Sequence, residues 1–104
     1  MNGLNSVILE GSISSISFFD YYSSFSLSFN RSFSDFNGQI VVEHSSIDVL
    51  CYSNLFTSFS NSHAKIGSSL RVIGRLRLDK FINPDNSTSS NIVLIAEHIE
   101  FKSL

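Results

Sequence analysis

The chain has no tryptophan, one cysteine, one proline and only five glycines in 104 residues. A lone cysteine cannot close an internal disulfide, and Cys51, set among Val49, Leu50 and Tyr52, reads as a small buried hydrophobe. The glycines are dispersed, so none builds a phosphate-cradling loop. No apolar run approaches the roughly 20 residues of a membrane span. Met1-Asn-Gly-Leu-Asn-Ser6 has no basic segment leading into an apolar one, as an export signal would. The expectation is therefore no membrane association and a cytoplasmic location. Charge is also scarce, at 15%, and nine carboxylates outnumber seven cations for a net charge of −2. That balance argues against a strongly basic nucleic-acid binder, whose affinity draws on clustered positive charge.

Catalytic and metal chemistry find little support. His44, His63 and His98 lie far apart on different expected elements, so they do not cluster with Cys51 as a zinc site requires. Asp79 and Asp85, or Glu97 and Glu100, could be paired as acid and base, but nothing nearby supplies the burial or charge that would tune them. The many serines show no nucleophile elbow. No enzyme activity, metal or cofactor is expected.

What the chain does have is a long alternating stretch, Gly67-Ser-Ser-Leu-Arg-Val-Ile-Gly-Arg-Leu-Arg-Leu-Asp-Lys-Phe81. Leu70, Val72, Leu76 and Leu78 share one parity with Gly74, and Arg71, Arg75, Arg77 and Phe81 share the other, which predicts a half-buried strand with one apolar and one cationic face. Arg71, Arg75, Arg77 and Lys80 put four of the seven cations within ten residues. Guanidinium groups to meet phosphates, with an aromatic ring on which a base can stack, are what a single-stranded nucleic acid needs. The plainer reading is a polar strand face turned to water.

Upstream, residues 4–16 predict a first strand with Val7, Leu9 and Ile13 inward and Gly11 at a bend or bulge. Phe18-Phe-Asp-Tyr-Tyr-Ser-Ser24 is a short aromatic turn. Phe25, Leu27 and Phe29 alternate with serines as a second strand, paired with the first as a hairpin. Residues 32–38 have turn chemistry around Phe33 and Phe36. Residues 40–52 predict a third strand, interrupted near Ser45-Ser46, with Ile47, Val49 and Cys51 on one face. Asn54 to His63 is the one expected helix, N-capped by Asn54, with Leu55, Phe56 and Phe59 as its apolar stripe and serine-rich enough to need packing to hold it. After the fourth strand, residues 83–91 predict a flexible polar loop. Residues 91–101 predict a fifth strand, apolar on both faces in its first half, of the kind that is covered on both sides. Three strands, a helix and two strands, with the helix between strands 3 and 4, is the order of the OB-fold, a five-stranded barrel binding oligonucleotides or oligosaccharides. The expectation is an all-β chain with one helix, forming a single OB-fold domain over residues 1–104.

The residues themselves resemble a family. Leu4-Asn-Ser-Val-Ile-Leu-Glu-Gly11 resembles the opening strand of bacterial single-stranded DNA-binding proteins, and Phe25-Ser-Leu-Ser-Phe-Asn-Arg-Ser-Phe33 their second strand. Gly67-Ser-Ser-Leu-Arg-Val-Ile-Gly-Arg-Leu76 is similar to the family's Gly-Ser followed by a Gly-x-Leu strand, and Ile95-Ala-Glu-His-Ile-Glu-Phe101 to its closing strand. The resemblance implies that Phe33 and Phe81 stack on bases and that a further stacking position lies on the third strand, at Ile47 or Tyr52. It also implies that Arg31, Arg71, Arg75, Arg77 and Lys80 meet phosphates. Under it the chain binds single-stranded DNA in replication, repair or recombination and self-associates as a homodimer or homotetramer, with replication or repair proteins as further partners. Ser17-Phe-Phe-Asp-Tyr-Tyr22 replaces the family's Pro- and Arg-containing loop. Tryptophan is missing, and so is the glycine-rich extension with an acidic tip. In lacking that tail the chain looks like the family's primosomal replication-restart relative. The alternative is therefore an OB-fold interaction or assembly subunit with weak or no DNA binding.

Overall fold

The structure is a computed structural model that describes residues 3–60 and 64–102, the side chains of residues 56, 57 and 60 excepted. Alternation of serine with apolar residues sets a two-residue period through much of the chain, and the result is strands: β1 (Val7–Phe18), β2 (Tyr22–Ser34), β3 (Ile40–Tyr52), β4 (Ser69–Ile82) and β5 (Thr88–Phe101). One helix, α1 (Ser53–Ser60), separates β3 from β4. The strands close into a barrel in the order β1-β2-β3-β5-β4, with β3 and β5 parallel and the other pairs antiparallel. This is the expected five-stranded OB-fold barrel, with the helix between strands 3 and 4.

Inside the barrel Ile13, Phe25, Leu27, Val49, Cys51, Leu70, Val72 and Leu94 are almost wholly shielded from water. Phe59 of α1 joins them, its ring 4.9 Å from that of Phe25, 6.2 Å from Phe18 and 6.4 Å from Phe101. Burying such a ring contributes about 1.5–3 kcal/mol, which offsets the poor helix propensity of the surrounding serines. Two glycines allow the strands to curl this tightly. A Cβ on Gly11 would lie 2.3 Å from the Ser28 carbonyl oxygen, and one on Gly74 would lie 2.0 Å from that of Ile95. Both overlaps are with backbone, which cannot swing aside.

Because β3 and β5 run parallel, the tips of the β2–β3 and β4–β5 hairpins project from the same end of the barrel. The first tip is tied by the Asp35 carboxylate, which accepts hydrogen bonds from the N–H groups of Asn37 and Gln39, each at 2.9 Å. At the second, the Asn83 N–H donates to the Ser87 carbonyl at 2.8 Å, and Asn86 takes φ +68°.

Several local expectations give way here. β3 is continuous through Ser45-Ser46, because its ladder with β2 is unbroken from Tyr22↔Tyr52 to Ser34↔Ile40 and serine pairs are tolerated there. The irregularity in β1 falls between Ile13 and Ser15, not at Gly11, whose role is close approach. The expected loop over residues 83–91 shrinks to a turn, since pairing of Ile82 with Thr88 restarts the strand at once. Leu76 and Leu78, expected to be buried, are exposed, because the pairing of β4 with β1 ends at Gly74 and β4 runs on past the barrel core. The helix begins at Ser53, with φ +56°, so Asn54 lies within its first turn instead of capping it. Its expected end, through His63, lies outside the described residues, as does the Phe56 side chain.

The two-faced part of β5 finds its cover within the chain. Leu94 and Ala96 face the core, while Val93 and Ile95 lie on the outer side with Leu50, all three nearly buried beneath Tyr22 and Tyr52.

Candidate nucleic-acid interface

On β4, Arg75, Arg77 and Phe81 keep one parity and pair without interruption with Ile95, Val93 and Ser89 of β5. All three are exposed and lie on the outer side of the sheet, spread over roughly 20 Å of strand. Across β5 the same outer rows continue through Leu50 and Asp48 of β3. Tyr52, two residues beyond Leu50, shares this side, and its ring stacks on Tyr22 with centroids 5.4 Å apart. Ile47 falls on the other parity and packs against the core. Of the two residues left open on the third strand, Tyr52 is therefore the one on the outer face.

The remaining cations divide by what holds them. Arg77 donates Nε to one oxygen of Asp79 at 2.6 Å and a terminal N–H to the other at 3.0 Å. Asp79, and after it Tyr52, raises the Arg77 pKa further above its already high ordinary value, and Arg77 holds the Asp79 carboxyl below the usual range. Arg71 is also outward but sits where β1, β4 and β5 meet, 2.6 Å from Glu10 and 3.4 Å from Glu100. Lys102 pairs with Glu10 as well, and Lys102 followed by Arg71 lowers the Glu10 pKa. Arg31, Arg75 and Lys80 are exposed and have no ion pair among the described residues.

Position separates the eight sequence-derived candidates into two groups. Tyr52, Arg71, Arg75, Arg77 and Phe81 lie on the outer side of the sheet. Lys80 has the opposite parity on β4, beside Leu78. Arg31 and Phe33 have the parity of the core residues Phe25 and Leu27, but on the part of β2 that extends past the barrel, opposite Glu43 and Val41. Three residues that sequence reasoning passed over also belong to the region. Phe19 stacks on Tyr22 with ring centroids 4.7 Å apart, and Tyr21 is strongly exposed. The signal available in the sequence was four aromatics among Phe18, Phe19, Tyr21 and Tyr22 in what is otherwise a polar turn.

The outer face thus offers guanidinium, phenyl and phenol groups in one surface, suited to phosphates and base faces. Among the described residues no three His, Cys, Asp or Glu side chains come together as a metal site would need, and His63 lies outside them. No described helix is long and apolar enough to cross a membrane.

Comparison with known proteins gives a consistent result. The model of the single-strand binding protein family matches residues 4–102. No curated protein matches by sequence. Among solved structures, a Plasmodium falciparum single-stranded DNA-binding protein in complex with single-stranded DNA superposes with a TM-score of 0.87 at 18% identity, covering 99% of this chain and 98% of that one. The small single-stranded DNA-binding protein of Streptomyces coelicolor gives 0.74 at 18% identity, covering 98% and 96%. The Thermus aquaticus single-stranded DNA-binding protein, as a deletion mutant, gives 0.81 at 20% identity, covering 97% of this chain and 51% of that one.

Proposed function

The chain belongs to the single-strand binding protein family, and we propose that it holds single-stranded DNA, without sequence preference, along the outer face of β4 and β5. The observation that carries this placement is the shared parity of Arg75, Arg77 and Phe81 in an exposed, uninterrupted ladder. Arg75 takes a phosphate, Phe81 and Tyr52 take base faces, and Arg77, held by Asp79, is less available to phosphate than Arg75. Arg31, Phe33 and Lys80 extend the contact along the projecting hairpins. Arg71, held between two carboxylates, contributes least. The protein acts as a single non-enzymatic domain in the cytoplasm, self-associates as a dimer or tetramer, and serves replication, repair or recombination.

The pairing of Arg71 and Arg77 with carboxylates favours modest affinity and gives the assembly-subunit alternative its support. Thermal unfolding with and without oligothymidine at low salt separates the two. A ligand that binds only the folded state raises the midpoint with concentration, and an unshifted midpoint would favour the assembly subunit.

A further inference from the structure

Phe19, Tyr22 and Tyr52 form a continuous stack that leads away from β4. From Tyr52 the rings pass to Tyr22 at 5.4 Å and on to Phe19 at 4.7 Å, with interplanar angles of 29° and 19°. The inner part of the stack is anchored, because Tyr22 and Tyr52 pack on Leu50, Val93 and Ile95. The outer part is not. Phe19 ends the stack in the turn between β1 and β2, its N–H donating to the Tyr22 carbonyl at 2.9 Å, with 48% of its surface still in water. Tyr21 beside it is 84% exposed.

A turn needs neither ring, since small polar residues close such turns without leaving apolar surface in water. Phe18, the last residue of β1, touches Phe59 yet still leaves 55% of its surface in water, so rings are exposed on both sides of the entry to this turn. Asp20 directly precedes Tyr21 in the turn, Asp48 shares the outer row of Val93 and Arg77, and Arg77 is already bonded to Asp79. The surface therefore suits the uncharged face of a nucleobase better than a phosphate.

We propose that the exposed face of Phe19, with Tyr21 at its side, is an additional base-stacking site, and that a single strand leaving the β4 face continues across Tyr52 and Tyr22 to reach it. The proposal rests on the reading of the β4 face given above. It makes the aromatic turn a functional replacement for the basic loop expected at that place in the family.

The chain's own composition supplies the probe. It contains no tryptophan and three tyrosines, Tyr21, Tyr22 and Tyr52, so intrinsic tyrosine emission reports this stack and its neighbour alone. The experiment follows that emission, together with polarisation of labelled oligothymidines of increasing length, for the wild-type protein and Phe19→Leu, with thermal midpoints checking the fold. The expected result is quenching by long oligonucleotides and at least about fivefold weaker binding of them by Phe19→Leu, the lower range for one stacked base. Short oligonucleotides bind both proteins equally. Equal affinity of both proteins for long oligonucleotides would overturn the proposal while leaving the β4 reading intact. A change of oligomeric state with unchanged affinity would assign Phe19 to an interface between copies and overturn it too. No binding of any oligonucleotide would overturn both readings.

Discussion

Replacing Asp79 with asparagine should make DNA binding tighter at low salt and more sensitive to added salt. Five cations were candidates for phosphates, but Arg71 is held by Glu10 and Glu100, and Arg77 by a two-pronged bond to Asp79. Among the described residues, Arg31, Arg75 and Lys80 form no ion pair with a carboxylate. Each phosphate neutralised on a single strand contributes about 0.7 to the slope of log K against log salt, so three free cations predict a slope near −2 and five would give about −3.5. Between about 50 and 200 mM salt these correspond to losses of about 20-fold and about 130-fold. Asp79→Asn releases Arg77 and should move the slope to about −2.8, a loss of about 50-fold over the same interval. Polarisation of a labelled oligothymidine over a sodium chloride series measures all of this directly. A wild-type slope near −3.5, or one unchanged by Asp79→Asn, would refute the reasoning, because it would mean that the carboxylates release or never withheld the guanidiniums.

Three further outcomes follow from the structure. Phe81→Ala and Arg75→Ala should each weaken oligothymidine binding while leaving the thermal midpoint nearly unchanged, since both side chains are exposed; lost stability with unchanged affinity would place them in packing instead. Gly74→Ala should destabilise the fold by about 1–3 kcal/mol in denaturant titration, because its Cβ would lie 2.0 Å from the Ile95 carbonyl oxygen. Burial pushes the Cys51 thiol up to about 11. The folded state therefore keeps a proton that the unfolded chain loses at lower pH, so the stability from this group is full below about pH 8.5 and is lost as pH rises toward 11. Cys51→Ala should flatten that part of the pH profile of the melting temperature.

The barrel was legible because its signal is the two-residue period itself. Phe25, Leu27, Val49, Cys51, Leu70 and Val72 are the buried members of runs whose other members are largely serine or charged. The same period misled where strands outrun the core. Leu76 and Leu78 alternate as faithfully as Leu70 and Val72, and only the closing of the barrel at Gly74 decides which pair is buried. Arg75, Arg77 and Phe81 could be placed on one face from spacing alone, since parity along a strand is local. That Arg77 and Arg71 are already bonded to carboxylates could not, because Glu10 and Glu100 come from other strands and Asp79 can meet Arg77 only once both are outward. The aromatic stack was missed for a similar reason. Tyr52 lies thirty residues from Tyr22, and only the register of β2 with β3 sets the two rings side by side.

Amide chemical shifts followed during titration with oligothymidine at low salt test the central claim most directly, that the single strand lies on the outer face of β4 and β5. The largest changes should fall on Arg75, Arg77, Phe81 and Tyr52, with smaller ones on the facing residues of β5. Changes centred instead on Glu10, Arg71 and Glu100, or no saturable change anywhere, would contradict it.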